Sequence, residues 1–314
     1  MIHIEKPGML TTIQDIGRQG FQQYGVIVSG AMDTLALQTA NILVGNAQDE
    51  AVLEVTMGGL RFKTDDDCVV AMTGAAIQGT INGRDLLQSY RPVALKAGDT
   101  VQLGPLLSGC RNYIAFRGGI DVPAIMNSKS TYLRAGIGGY KGRALKKGDA
   151  LTVYKHTAQQ VKWQAEPPHY AKKNWTVHVT AGPEWAQFTA DSQHQFLTTR
   201  YDITAAADRM GYRLKGTPLQ RVSAEELLSD AVLFGTIQVS NDAQPTVLLA
   251  DRQTTGGYPR IAQVIASDLH VFAQMKPGDS IQFECVTLTE SYALLTEQTQ
   301  YLRKLAQAVR LQQL

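Results

Sequence analysis

One short string recurs three times along this chain of 314 residues: Lys96-Ala97-Gly98-Asp99-Thr100-Val101-Gln102-Leu103, Lys146-Lys147-Gly148-Asp149-Ala150-Leu151-Thr152-Val153 and Lys276-Pro277-Gly278-Asp279-Ser280-Ile281-Gln282-Phe283. Each sets a Gly-Asp turn in front of an alternating polar and apolar run, the pattern of a strand with one buried face. A chain punctuated this way is committed to β structure. Asn82-Gly83, between Ile77-Gln78-Gly79-Thr80-Ile81 and a further polar and apolar stretch, adds the strongest short hairpin signal. The turn occurs on both sides of the middle, which points to two related β-rich halves. Between them Gln159 to Asn174, with Glu166-Pro167-Pro168 and Lys172-Lys173, lacks apolar periodicity and reads as a linker. The expected division is a first domain over 1–160 and a second over 170–314.

Helical signals are few. Asp33 to Val44 puts Ala36, Leu37, Ala40, Leu43 and Val44 on one face and stops at Gly45-Asn46, a left-handed cap. Pro183 to Phe188 and the capping box Ser223-Ala224-Glu225-Glu226 are candidate starts of short helices. From Thr289 to the end the pattern is helical, with Leu295, Leu302, Leu305 and Val309 near one face, expected to pack on the second half.

Composition serves mainly to exclude. A formal net charge of +2 leaves no electrostatic footprint for nucleic acid. No run approaches the length of a spanning helix and the N-terminus has no apolar signal core, so a cytoplasmic location is expected. Cys68, Cys110 and Cys285 are far apart and odd in number, which suits buried thiols in a reducing compartment. The histidines show no metal-ligand spacing, no metal site is expected, and no G-x-x-x-x-G-K-[ST] phosphate loop is present.

Chemistry concentrates in Asp251-Arg252-Gln253-Thr254-Thr255-Gly256-Gly257-Tyr258-Pro259-Arg260. The apolar Thr246-Val247-Leu248-Leu249-Ala250 reads as a strand, so a carboxylate, a guanidinium, an amide and hydroxyls emerge at its end beside two glycines that let a ligand approach the backbone. No Ser, Cys or His nucleophile accompanies them. The residues suit binding and polarising a small polar or anionic molecule; a polar hairpin turn is the alternative.

Longer strings then become recognisable. Thr11-Thr12-Ile13-Gln14-Asp15-Ile16-Gly17-Arg18, Ser29-Gly30-Ala31-Met32-Asp33, Phe116-Arg117-Gly118-Gly119-Ile120-Asp121, Ser130-Thr131-Tyr132-Leu133-Arg134-Ala135-Gly136, Asp208-Arg209-Met210-Gly211-Tyr212-Arg213-Leu214, Gly235-Thr236-Ile237-Gln238-Val239 and the segment from Asp251 to Tyr258 occur in an order that resembles the allophanate hydrolase subunit 2 family, also called the biotin-dependent carboxyltransferase family. Ile27 and Ser240 stand where members usually carry proline. The resemblance implies a mainly β fold of two cyclophilin-like β-barrel domains with a few short helices and a C-terminal helix. It implies a subunit 1 homologue as partner, corresponding to the B-like component of a 5-oxoprolinase. In one branch an A-like component joins them, and the complex uses ATP and Mg2+ to open the cyclic amide 5-oxo-L-proline to L-glutamate. Two other branches offer alternatives: a carboxyltransferase that moves a carboxyl group from carboxybiotin to urea or a related amide, and a non-enzymatic antagonist of a kinase-inhibitor protein.

Neither amide reaction needs a protein nucleophile, because a weakly nucleophilic oxygen or nitrogen is placed beside an activated donor and the emerging charge is stabilised. Asp251, Arg252 and Asp15 are therefore the candidate catalytic residues. Gln14, Arg18, Arg117, Arg209, Arg213, Gln238, Gln253, Thr255 and Tyr258 are candidate substrate-binding residues, the arginines because a guanidinium offers a rigid fork to carboxylate or phosphate. Each has a structural reading as well: Arg209 could pair with Asp208, Arg252 with Asp251, and the amides could satisfy backbone groups. Asp33 belongs at a helix N-terminus and Asn41 inside a helix.

Overall fold

A computed structural model describes residues 1–154, 163–168, 170, 173–223 and 227–312. The expected capping box at Ser223 to Glu226 falls largely outside them. The chain divides into two compact units, one of Met1–Gln19, Ser29–Tyr170 and Thr299–Leu314, the other of Gly20–Val28 and Ala171–Gln298. Both are built mainly of strands, as expected.

The first unit contains β1 (Ile2–Pro7), β2 (Leu10–Gln14), α1 (Thr34–Val44), β3 (Val52–Thr56), β4 (Leu60–Thr64), β5 (Cys68–Ile81), β6 (Asp85–Leu86), β7 (Pro92–Leu95), β8 (Thr100–Phe116) and β9 (Ala150–Leu151). They form a nine-stranded sheet whose main path runs β2-β3-β8-β4-β1-β9, with β5 joined to β8 and carrying β6 and β7. One core cluster gathers Ile4, Leu53, Phe62, Val70, Ile114 and Phe116; another sets Leu37, Ala40 and Leu43 of α1 against Val69, Ala71 and Tyr113. Helix α1 begins where the sequence placed it, with Asp33 accepting from the Ala36 amide at 2.7 Å and Gly45 left-handed at φ 80°.

The second unit contains β10 (Asn174–Ala181), α2 (Ala190–Thr198), β11 (Tyr201–Ala207), β12 (Gly211–Lys215), β13 (Asp230–Ala231), β14 (Thr236–Val239), β15 (Pro245–Leu248), β16 (Thr255–Gly256), β17 (Arg260–Val264) and β18 (Ser280–Cys285). Seven of these close a barrel in the order β10-β17-β14-β15-β12-β11-β18, and β13 with β16 makes a separate two-stranded ribbon. Closure removes exposed sheet edges. Inside, Phe196 of α2 stacks on Phe283 with ring centroids 4.7 Å apart. Over Pro183 to Phe188 there is only a 3-10 turn at Trp185–Gln187; the α-helix starts at Ala190, where Thr189 accepts from the Ser192 amide.

The three Gly-Asp turns are the same device each time. Gly98, Gly148 and Gly278 have φ of 90°, 89° and 91°. Asp99, Asp149 and Asp279 turn their carboxylates back onto the amides of Lys96, Lys146 and Lys276 at 2.7, 2.7 and 3.1 Å, and β8, β9 and β18 follow. Asn82 (φ 54°) and Gly83 (φ 70°) make the hairpin turn between β5 and β6.

Three expectations are corrected. The stretch read as a linker is, over its described residues, a strap on the first unit: the Trp163 indole donates to the Leu43 carbonyl at 3.0 Å, Ala165 to that of Tyr90 at 2.8 Å, and the Tyr170 hydroxyl to Asp33 at 3.1 Å. Of the cysteines, Cys110 is buried, Cys68 partly buried and Cys285 exposed. The last helix, α3 (Leu288–Leu311), counts from Thr299 onward in the first unit, where Leu302 and Val309 pack with Leu35 and Ile42.

Candidate functional site

The segment after β15 carries the densest chemistry. Leu249 and Ala250 are fully buried, and the chain then presents Asp251 (6% exposed) and Arg252 (8%) before β16 pairs with β13. The Asp251 amide donates to the Arg209 carbonyl at 2.8 Å and the Arg252 amide to that of Leu249 at 3.2 Å, which holds the turn rigid.

The two adjacent charges have different fates. Arg209, itself 6% exposed, grips Asp251 through Nε on Oδ2 and Nη2 on Oδ1, both at 3.0 Å. Both carboxylate oxygens are taken, so Asp251 is poorly disposed to accept a proton from a ligand. Arg252 instead donates to two backbone carbonyls at 3.3 Å, Nε to Val232 and Nη1 to Leu249. Burial pushes its guanidinium down to about 10, with no acid among the described residues acting to hold it up. Arg252 is not paired with Asp251, and Asp208 takes the Met210 and Gly211 amides at 2.7 and 3.2 Å to shape the turn into β12.

Further along, the Gln238 amide is buried and donates to the Tyr258 carbonyl at 3.1 Å. Gly256 passes over it so closely that a Cβ there would lie 2.7 Å from Gln238 Nε2, so this glycine is required by packing. Half-exposed Tyr258 and Gly256 line a cavity of about 380 Å³ with Glu184, Ser229, Asp230 and Arg260. Its charge is organised by Arg260, which the sequence pattern left out of the site. Arg260 Nε and Nη2 engage Glu184 at 2.8 and 2.7 Å, and Nη1 engages Asp230 at 2.8 Å. The guanidinium holds the Glu184 carboxyl below its ordinary range. The position of Arg260 at the end of the motif was the available signal. Thr255 is exposed and Gln253 half-buried on the same segment. Arg213 is not brought here: it faces outward from β12 and pairs with Asp242.

The candidates of the first unit form a frame. Asp15 accepts from the amides of Gly17 (2.8 Å) and Lys129 (2.5 Å) and from the hydroxyls of Ser128 (2.7 Å) and Ser130. With four donors on one carboxylate, it fastens the 15–18 turn to the 128–130 loop. Arg18 is fully buried and donates from Nη2 to the Ser130 carbonyl at 2.5 Å. Gly138 closes over both, since a Cβ there would sit 1.9 Å from the Ser130 oxygen and 2.7 Å from Arg18 Nη2. Gln14, also fully buried, donates to Thr12 and to the Thr131 carbonyl at 3.0 and 3.1 Å, and its Oε1 has no partner among the described residues. Ser128 and Ser130, unassigned from sequence, complete this frame. Arg117 lies apart, lining a cavity of about 260 Å³ with Asp66, Asp67, Cys68 and Tyr154.

Residues 24–285 match the family model described as "Carboxyltransferase domain, subdomain A and B". The chain belongs to the carboxyltransferase domain family. It is 40% identical over 308 residues to the C subunit of 5-oxoprolinase from Escherichia coli strain K12, covering 98% of each chain. It is 36% identical to the C subunit of the Haemophilus influenzae 5-oxoprolinase, covering 98% of this chain and 99% of that one. Among solved structures, urea amidolyase of K. lactis superposes with a TM-score of 0.91 at 28% identity, over 97% of this chain and 20% of that one. The expected family and mainly β fold are borne out.

The described residues of this carboxyltransferase-family chain gather no group of three or more His, Cys, Asp or Glu side chains able to hold a metal ion. Among them no helix is long and apolar enough to cross a membrane.

Proposed function

We propose that this chain is a component of a 5-oxoprolinase, a hydrolase acting on cyclic amides, and that it contributes to ATP-dependent opening of 5-oxo-L-proline to L-glutamate. The observation that carries this reading is identity of 40% and 36% to two proteins named as the C subunit of 5-oxoprolinase, each matched over nearly its whole length. That name implies a multi-subunit enzyme. The A-like and B-like partners in the cytoplasm complete it, and the assembled complex uses ATP and Mg2+.

Within this chain the reaction calls for a group that meets negative charge. Arg252 fits that role, because its guanidinium is buried at the head of the motif and, among the described residues, compensated only by carbonyl dipoles. Arg209 and Asp251 position it. Gln238, Gln253, Thr255 and Tyr258 lie on or beneath the same segment and are proposed to shape the approach. Asp15 and Arg18 are assigned to the frame. A second reading, transfer of a carboxyl group from carboxybiotin to urea, draws on the likeness to urea amidolyase; it needs the partners and biotin carrier that such a transfer requires.

Reconstitution tests the two. The chain is mixed with its A-like and B-like partners, ATP, Mg2+ and 5-oxo-L-proline, and glutamate is measured. ATP-dependent glutamate release that needs all three chains is expected. No release, together with carboxylation of urea by carboxybiotin, would overturn the oxoprolinase reading in favour of the second.

A further inference from the structure

A fully charged guanidinium withdrawn from water normally finds a carboxylate, because backbone dipoles orient toward it without cancelling its charge. Around the site the other arginines have done so: Arg209 holds Asp251, and Arg260 holds Glu184 and Asp230. Arg252 is the exception. At 8% exposure it has two long carbonyl contacts, Nη2 makes no hydrogen bond to a described residue, and the nearest acid in sequence is already forked by Arg209.

We propose that Arg252 reads the carboxylate of the substrate, so that the site takes cyclic amides bearing an acid group and refuses their uncharged analogues; this rests on the oxoprolinase reading above. 5-Oxoproline is an anion at neutral pH, and its carboxylate offers two parallel oxygens to a guanidinium fork. A neutral lactam or urea offers only a carbonyl dipole and leaves the buried charge as it was. Specificity built on an otherwise unpaired buried group is strong for that reason. A carboxylate could also come from an acidic side chain of a partner protein, and the test separates the two sources.

The three-protein complex is prepared with wild-type chain, Arg252→Lys and Arg252→Met. Binding of 5-oxo-L-proline, of its carboxamide and of 2-pyrrolidinone is measured by calorimetry, and association of the three proteins by sedimentation. Wild type should prefer 5-oxoproline over the carboxamide on the order of 100-fold, the range of a charge-assisted contact. Arg252→Met should erase that preference while binding of the carboxamide stays within about 2-fold, and Arg252→Lys, which keeps the charge without the fork, should fall between. Arg252→Met should also melt no lower than wild type, because it removes an uncompensated charge. An unchanged acid-to-amide ratio in Arg252→Met overturns the proposal, as does loss of association at an unchanged ratio, which would assign the carboxylate to the partner. Absence of glutamate release from the wild-type complex refutes the oxoprolinase reading instead, and the binding ratio is still read.

Discussion

Arg209 and Asp251 provide the sharpest separation between a positioning role and a chemical one. Both are 6% exposed and joined by two parallel contacts of 3.0 Å. Removing one partner strands the other charge away from water, which costs roughly 3–5 kcal/mol, far more than losing a surface pair. At about 2–4 °C per kcal/mol for a chain of this size, Arg209→Met should lower the melting temperature on the order of 10 °C. Asp251→Asn, nearly isosteric, should do the same by leaving Arg209 without its counter-charge. Because the loss is shared, the double variant Arg209→Met/Asp251→Asn should be less destabilised than the sum of the singles by about 2 kcal/mol or more. Urea unfolding followed by the fluorescence of Trp175 and Trp185 gives all four corners of the cycle. Turnover of the reconstituted complex should fall with the folded fraction and with displacement of Arg252. A coupling below about 0.5 kcal/mol would refute the pairing argument. An Asp251→Asn chain as stable as wild type but slower by about 10³-fold would make Asp251 a proton acceptor after all.

The isolated Arg252→Met chain should be more stable than wild type, by up to about 3 kcal/mol for a guanidinium that burial pushes down to about 10. The folded form is the poorer proton binder, so the advantage is full below about pH 10 and fades as pH rises above it toward the ordinary guanidinium range, as urea unfolding at pH 8 and pH 10.5 would show. Gly138→Ala should cripple folding, since its Cβ would meet the Ser130 oxygen at 1.9 Å, whereas Gly136→Ala, with open space and φ 66°, should cost only about 1–2 kcal/mol of backbone strain; equal melting temperatures would refute the close-packing argument. Arg260→Met should destabilise the second unit by roughly 3 kcal/mol at neutral pH. Because Glu184 is held below its ordinary value of 4.5, that difference is present above about pH 4.5 and shrinks as pH falls through the lowered value, and a difference constant down to pH 3 would refute the clasp.

Local physics was legible in the residues. The Gly-Asp turns, Asn82-Gly83 and the Asp33 cap each need a particular φ or a particular short side chain, and each sits where the string placed it. The resemblance supplied the mainly β architecture. The strap was not legible, because Trp163, Ala165 and Tyr170 dock on Leu43, Tyr90 and Asp33 from an irregular segment that no period marks. Nor was the choice of ion pairs. Asp251 lies next to Arg252 in sequence but reaches 42 residues back to Arg209, and Arg260 reaches 76 residues back to Glu184. Adjacent side chains in an extended segment point to opposite sides, so neighbours in sequence are poor candidates for a pair.

That last point bears on how a site is found in a chain without a nucleophile. Motif density marked Asp15, Arg18, Asp251 and Arg252 alike, yet Asp15 is held by serine hydroxyls and backbone amides, Arg18 lies beneath Gly138 against the Ser130 carbonyl, and Asp251 is neutralised by Arg209. Such residues are constrained because a buried charge without its partners is costly, which is a requirement of folding. A buried charge left with only carbonyls runs the other way. It lowers stability in the free chain and is repaid only when an anion arrives, the trade-off expected where binding governs the choice of residue. Compensation of charge therefore separates the described residues of the 251–260 segment better than the motif does, and it is the ground on which Arg252 is proposed to meet the substrate.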